Sequence, residues 1–428
     1  MSRLSRLPTL LLALALFRIG VLPANAQVPL SPRSLSLGGA MIGSARGQDA
    51  VFLNPANLGL AGSPRWSVAL VGISAGAIRE GIEIGDIQDL IEYDDLSDEE
   101  GDQLLGSIPS TGARLDIDVR APVASVQVGS FGFGVAYMTL GGHTVSRDLV
   151  DLLLNGYEEG RSDYLIADTQ GDRASWWDFA VAYGTATGPV SWGVTGHFLL
   201  GGTLVRTWMT DAQVDLVGRD IDIDYFGLRS KGGTGVALDL GAAYQLRRDL
   251  TLSGVVTNAF SRLDWSEDLR IRRLELSRSD FDGDEGLQDL INRYENSERD
   301  FQAGDETLFA ESAESFLRAE AHLPTTATVG LAWRPVARTN LLASYSDDIT
   351  SGRLGGEWQR RLGAGVEQEF WHLAGRLGVA SNLDGQQMLT GGVSLGPLDL
   401  GMARLSGDEG GISRSGWIGV FGLSMQTD

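Results

Sequence analysis

The sequence predicts an all-β protein, a transmembrane antiparallel β-barrel of about fourteen strands with short helices in its extracellular loops. Three observations carry that expectation. Extended segments alternate apolar and polar residues with a period of two, brief turns alternate with much longer connections, and the tryptophans gather near segment ends. A bilayer demands all three: one strand face meets lipid and the other the lumen, one end of the barrel is trimmed short, and amphipathic rings settle at the interfaces.

In chain order, Arg3 and Arg6 precede an apolar run from Leu10 to Phe17, and Ala24, Asn25 and Ala26 form a small-residue cleavage site before Gln27. Residues 1–26 are therefore expected to be a cleaved secretory signal peptide, although Arg18 interrupts its apolar part early. The run is too short to cross a bilayer as a helix, and no other window offers roughly 18 uninterrupted apolar residues. A barrel or a secreted soluble β-protein remains. The chain has no cysteine, which excludes disulfides, metal–thiolate sites and a lipid-modified N-terminal cysteine. The formal charge is −22, and without the three signal-peptide arginines it becomes −25, from 31 basic and 56 acidic residues. Such a surface repels nucleic acid.

The next segment, Ser36 to Leu60, is Gly/Ala-rich and too weakly periodic for a strand. It reads as coil with short helical turns. Asn54 before Pro55 suits a helix start, because the Asn side chain accepts an orphan backbone N–H while Pro at the first helical position lacks one. Gly59 and Gly62 then stop the turn.

Strand cores are expected near 64–73, 114–128, 131–142, 174–186, 189–211, 229–246, 249–267, 324–336, 338–348, 359–370, 372–381, 387–396, 398–405 and 414–425. From Arg114 to Ala121, Leu115, Ile117, Val119 and Ala121 oppose Arg114, Asp116, Asp118 and Arg120. Val236, Leu238, Leu240, Ala242, Tyr244 and Leu246 oppose a face that includes Asp239. Leu362, Ala364, Val366 and Phe370 oppose Arg361, Glu367 and Glu369, and the next segment sets Leu373, Leu377 and Val379 against His372 and Arg376. A soluble sandwich alternates too, but Ser191–Asp211 and Leu250–Trp265 far exceed the usual five or six residues. Trp66, Trp192, Trp208, Trp265, Trp333, Trp371 and Trp417 are the candidates for the interfacial girdle.

Brief turns near 129–130, 187–188, 247–248, 337, 371 and 397 belong on the periplasmic side, and the longer connections outside. The long loops 74–113 and 268–323 are acidic. Ser97 with Glu100 forms a capping box for a short helix. Further helices are expected behind Ser146 at Arg147–Leu154, and near Glu285–Tyr294 and Glu311–Ala319.

Gly38-Gly39-Ala40, Asp49-Ala50 and Asn54-Pro55-Ala56 together resemble the N-terminal pattern of the FadL-type outer-membrane superfamily, which holds long-chain fatty-acid transporters and PorV/PorQ-like and TraF-like relatives. The C-terminal stretches 361–382 and 389–405 resemble the closing hairpins of the PorV/TraF-like branch. The resemblance implies that residues 27–62 form a hatch plugging the periplasmic mouth of a barrel made by 63–428, with Gly38, Gly39, Asp49, Asn54, Pro55 and Ala56 as its marking residues and Asp49, Asn54 and Pro55 holding it. It implies a channel passing a hydrophobic small molecule across the outer membrane of a Gram-negative-type bacterium. The alternative is a non-conducting barrel serving secretion, conjugation or surface assembly through its outer loops. Outer-membrane lipid, a hydrophobic ligand or a secreted or surface protein are the expected partners, and nucleic acid is not. The chain departs from the common barrel pattern by ending Gln426-Thr427-Asp428 rather than on an aromatic residue.

Chemistry-bearing patterns are sparse. Gly72-Ile73-Ser74-Ala75-Gly76 matches a hydrolase nucleophile elbow, but its plainer reading is a strand entering a glycine-rich loop. Asp280, Asp282 and Asp284 open like a calcium loop, yet Glu285 and Ile291 stand where glycine and glutamate belong. The inward candidates Arg114, Asp116, Asp118, Arg120, Asp239, Arg361, Glu367, Glu369 and Arg376 form a charged lumen, either paired or solvated. No catalytic residues, metal site or cofactor are expected; the protein reads as a non-enzyme.

Overall fold

A computed structural model describes residues 31–80, 98–155, 164–209, 213–214, 221–265, 267–277, 287–302, 304–305, 323–350, 360–383, 385–409 and 412–427. Fourteen antiparallel strands close into a barrel. They are β1 (Trp66–Glu80), β2 (Ala113–Val128), β3 (Phe131–Val145), β4 (Gln170–Thr187), β5 (Val190–Met209), β6 (Ile221–Arg247), β7 (Leu250–Asp264), β8 (Thr326–Val336), β9 (Thr339–Asp348), β10 (Arg360–Phe370), β11 (Leu373–Asn382), β12 (Gln386–Leu395), β13 (Leu398–Glu409) and β14 (Ile412–Gln426). Closure comes from β1 pairing with β14, from Ser67 opposite Gln426 to Glu80 opposite Arg414. A closed sheet leaves no unpaired edge, which a bilayer core requires.

The alternation separates two surfaces. On β10, Leu362, Ala364, Val366 and Phe370 are exposed on the outer face, whereas Glu367 is buried inside. On β11, Leu377 and Val379 face out and Arg376 in; His372 sits in the hairpin turn before it and, with Arg376, lines the cavity at this end of the lumen. These apolar outer faces match a lipid solvent.

Wall height is uneven. Strands β8 to β12 are 10 or 11 residues long, about what a tilted strand needs to span the hydrocarbon layer. β4, β5 and β6 run 18, 20 and 27 residues, so one side rises well beyond the membrane. There β6 gains a further partner, Arg270–Leu276, with Arg229 opposite Arg270 and Ile223 opposite Leu276. That strand is a correction to the expectation of an unpaired loop. Its alternating Leu274 and Leu276 are buried in a core shared with the helices and could have marked it.

The helices at this end are α3 (Asp98–Ser107), α4 (Arg147–Asn155) and α5 (Leu287–Asn296). Ser146 caps α4 through its hydroxyl, which accepts the Leu149 N–H at 3.1 Å. Leu104, Ile108, Leu149, Leu152, Tyr225 and Tyr294 share a core with the Arg270–Leu276 strand. The expected helix at 311–319 lies outside the described residues, as do Asp280, Asp282 and Asp284.

Among the bulges that interrupt the wall, two carry a left-handed residue other than glycine. Val71, at φ 48°, shifts the β1–β14 register, and the β1–β2 ladder is missing between Leu70 opposite Ala124 and Ser74 opposite Arg120. Pro122 lies within this break, where it has no N–H to lose. Asn258, at φ 50°, marks the second, where β6–β7 pairing jumps between Leu238 and Leu240. The nucleophile-elbow pattern falls inside β1, which continues to Glu80. An elbow needs a sharp strand-to-helix turn, so Ser74 is simply a buried wall residue.

Candidate functional site

The lumen is filled at its short-turn half by residues 31–62. Pro32 opens the five-residue helix α1 (Pro32–Ser36), Gly38 and Gly39 turn the chain in left-handed conformation, and a 3₁₀ turn follows at Ala40–Gly43. Helix α2 (Asp49–Leu53) leads to Asn54, whose Oδ1 accepts the Ala56 N–H at 3.0 Å and caps a 3₁₀ turn at Pro55–Gly59. The Asn-Pro start is thus realised, as a 3₁₀ turn rather than an α-helix.

Side chains and backbone of the wall take up the polar groups of this segment. Asn54 Nδ2 donates to the carbonyls of Ala242 and Gly254 at 3.4 and 3.3 Å. Thr195 donates to the Val51 carbonyl at 3.0 Å, Ser191 to that of Ala56, and Gly38 N–H donates to Thr390 Oγ1 at 3.1 Å. The Gln48 N–H donates to Ser67 at 2.7 Å. Asn57, which sequence reasoning passed over, is fully buried and ties the segment to itself by donating to the Ile42 carbonyl at 2.8 Å.

Close approach is allowed by glycines on the wall. A Cβ at Gly193 or Gly184 would strike the backbone of Pro55, one at Gly241 would strike Asn54, and one at Gly378 would strike the Leu37–Gly38 peptide. Gly38 itself could not carry a Cβ, because the Val379 carbonyl occupies that position. The wall and the segment are therefore fitted to each other at backbone level.

The charged lumen candidates are mostly paired. Arg114 bonds Asp116 and Arg120 bonds Asp118, each at 3.0 Å and within one strand. Asp239 accepts the Asn258 N–H at 2.7 Å, so it anchors the β7 bulge, and it faces His197 Nε2 at 3.2 Å. His197 Nδ1 meets Asp178 at 2.8 Å. This Asp178–His197–Asp239 row across β4, β5 and β6 had no sequence signature, since only strand register brings the three together. Arg361 lies against Gly39, where a Cβ would meet its guanidinium.

The densest polar cluster joins segment and wall. Arg33 Nε and Nη2 donate to Glu367 at 2.7 and 2.6 Å, and Glu367 also accepts from Arg376 Nε at 2.7 Å and Asn340 Nδ2 at 2.9 Å. Arg376 continues to Asp399 at 2.8 Å. Burial works against the Arg33 charge, but the Glu367 carboxylate outweighs it and holds the guanidinium pKa above its ordinary value. Burial pushes the nearby Asp49 carboxyl up to about 6, against the pull of Arg33 and a hydrogen bond from Ser31. Glu369 is half-buried at the same end. A cavity of about 890 Å³ opens here, lined by Arg33, Arg46, Gln48, Asp49, Arg334 and Glu367 among others.

Above the segment the lumen face of β3 to β7 carries an apolar cluster next to the Asp178–His197–Asp239 row. Met138, Leu140, Trp176, Leu199, Leu263 and Trp265 form one cluster, and Phe52 of α2 packs against it. Trp265 is fully buried in this cluster, which corrects its assignment to the interfacial girdle. It lies just past the end of β7, where the chain turns inward. Trp66, Trp192, Trp333, Trp371 and Trp417 are exposed, and half-buried Trp208 stacks on Phe226 at 5.3 Å. No group of three or more metal-binding side chains occurs among the described residues.

No family model matches the sequence, and no curated protein matches it either. Solved structures do. The toluene transporter TbuX of Ralstonia pickettii is 15% identical at a TM-score of 0.52, covering 94% of this chain and 99% of its own. The toluene transporter TodX of Pseudomonas putida is 13% identical at 0.52, covering 95% and 99%. A FadL homologue of Pseudomonas aeruginosa is 11% identical at 0.52, covering 94% and 99%. At such identities the likeness speaks for the fold, and the fold is that of the FadL-like outer-membrane barrels.

Proposed function

We propose that the protein is a FadL-like channel that carries a hydrophobic small molecule across the outer membrane of a Gram-negative-type bacterium, with residues 31–62 as its hatch. The observation that carries this reading is an apolar cluster of lumen residues that reaches the hatch itself: Met138, Leu140, Trp176 and Leu199 cluster with Phe52, beside the Asp178–His197–Asp239 row. A molecule without polar groups gains free energy from such a cluster and none from the charged lumen residues. The structural neighbours named as toluene transporters support the same substrate class. Nothing in this mechanism calls for an enzyme's machinery.

The test is uptake of radiolabelled toluene by cells expressing the protein, compared with Met138→Asp, which sets a charge on the apolar face. Uptake above the empty-vector level, lost in the variant while heat-modifiable gel migration persists, is the expected result. Equal uptake by vector, protein and variant would end the transport reading. A surface-assembly role in the manner of the PorV-like or TraF-like barrels is the second reading, favoured by the helices packed into one core at the long-loop end. Loss of surface display of another protein on deleting α3 or α4 would support it.

A further inference from the structure

The outer face of the wall carries a cation whose surroundings are lipid. Arg404 on β13 points outward in line with Leu400 and Met402, and exposed Leu389 stands opposite it on β12. On its other side it is opposite Trp417 of β14, whose ring centre lies 5.6 Å from the guanidinium carbon. The ring covers one face of the guanidinium and takes none of its in-plane N–H groups. Among the described residues Arg404 has no ion pair and no hydrogen-bond acceptor for those groups. Glu80 on β1 and Asp399 on β13 are turned inward, to Arg414 and Arg376.

Height decides what this means. From Trp66 at the short-turn rim to Ala77, which stands opposite Trp417, a strand rising about 3.3 Å per residue at a tilt of about 45° climbs about 25 Å. That is the height of the apolar band between two aromatic girdles, so Trp417 and Arg404 lie where acyl chains meet headgroups at the long-loop end. An arginine exposed to water needs no counter-charge. Here the medium is lipid, and the anion that satisfies the guanidinium has to come from it.

A second cation shares the face. Arg79 on β1 points outward two positions above Ala77, and its Nε donates to Ser415 Oγ of β14 at 2.9 Å. Outward arginines therefore flank the Trp417 strand on both sides. The long-loop end is the extracellular one, and the outer leaflet of a Gram-negative-type outer membrane is built of a phosphorylated, multiply acylated glycolipid. Its disaccharide headgroup carries a phosphate at each end, so the two arginines need not meet at one point.

We propose that the β13–β14–β1 face at the level of Trp417 binds this glycolipid. Arg404 holds a phosphate through the edge of its guanidinium, Arg79 attracts the same headgroup, and Leu389, Met402 and the Trp417 ring bear acyl chains. The site rests on the outer-membrane placement of the barrel and is independent of what passes through it.

The test is native mass spectrometry of the folded full-length protein in a neutral detergent, with three probes: diphosphorylated lipid A, lipid A stripped of its phosphates, and phosphatidylglycerol. Expected is a saturable adduct with the diphosphorylated lipid, weakened about tenfold by Arg404→Gln and less by Arg404→Lys, which keeps the charge without the planar edge. Trp417→Leu should weaken it too. Arg262→Gln, on the outer face of β7 beside Asp264, should bind as the parent does. Equal binding of the stripped lipid or of phosphatidylglycerol overturns the proposal, as does undiminished binding in Arg404→Gln or an equal loss in Arg262→Gln. Heat-modifiable gel migration is checked first for every protein: a parent that lacks it refutes the membrane reading itself, whereas a heat-modifiable parent that takes up no lipid A refutes this site alone. If Arg404→Gln does not fold, Arg404→Lys and Trp417→Leu decide the matter.

Discussion

Arg33 and Glu367 stand 334 residues apart in sequence and share two hydrogen bonds, at 2.7 and 2.6 Å, across the boundary between the lumen-filling segment and the wall. Glu367 is almost wholly buried while Arg33 keeps partial access to solvent. The carboxylate is also held by Arg376, so it stays compensated if Arg33 leaves. The pair can therefore open without stranding a buried charge.

Replacing Arg33 by Gln is expected to loosen the segment and leave the barrel folded. Planar-bilayer recordings should show larger or more frequent openings than the parent protein, and deletion of residues 36–60 should give the largest conductance. Glu367→Gln should cost more stability than Arg33→Gln, by about 1–3 kcal/mol, because it releases Arg33, Arg376 and Asn340 together. An unchanged single-channel trace in all three proteins would show that the segment does not obstruct the pore.

Gly193 and Gly196 offer a matched pair on one strand. A Cβ at Gly193 meets Pro55 and Ala56, whereas one at Gly196 meets nothing within 4 Å. Gly193→Ala should therefore unseat the Asn54–Pro55 turn and expose the segment to trypsin at Arg46 or Arg33, with Gly196→Ala indistinguishable from the parent. Equal proteolysis of the two variants would contradict the close fit.

Asp49 supplies a pH dependence with a definite sign. Its folded-state pKa is raised to about 6 from an ordinary 3.8, so the folded protein holds a proton that the unfolded chain has already released between those values. Stability contributed by the protonated group is complete below the ordinary value and is lost as pH rises through about 6. Asp49→Asn should accordingly match the parent near the acid end and exceed it in thermal stability above that range. A gap that widens toward acid instead would refute the assignment.

Asp239→Ala removes an acceptor shared by the Asn258 N–H and His197. The expected loss is about 1–3 kcal/mol in urea unfolding from lipid vesicles, since the Asn258 N–H loses its acceptor and the imidazole is left with Asp178 alone. His197→Gln should lose less, because the bulge anchor survives.

The wall was legible in the sequence because lipid and lumen impose opposite polarity on adjacent residues, as Leu362 and Leu377 against Glu367 and Arg376 illustrate. Strand ends were less so. β1 continues through Gly72–Gly76 to Glu80 although small residues suggested a loop, and β6 begins at Ile221 because Gln213–Val214 pairs with Ile221 and Asp222 and Arg270–Leu276 flanks it from Ile223. The positions of Gly38 and Asn54 are as specific as their residue types suggested, but their partners are not local. Gly378, Thr390, Ala242 and Gly254 become neighbours only through closure of the sheet. The same holds for Arg33 with Glu367 and for Asp178 with His197: each residue is ordinary in its own stretch, and the closed sheet creates the pair.

The order in which these parts are made has a consequence for assembly. The first part of the segment that precedes β1, Arg33 to Gly38, rests on β10 to β12, through Glu367, Gly378, Thr390 and Gly392, which leave the ribosome late. Its seat does not exist until nearly the whole chain has been translocated, and the final seam between β1 and β14 closes around it. The N-terminus must therefore wait, undocked, through most of barrel formation, so this protein cannot acquire its native state progressively from one end to the other.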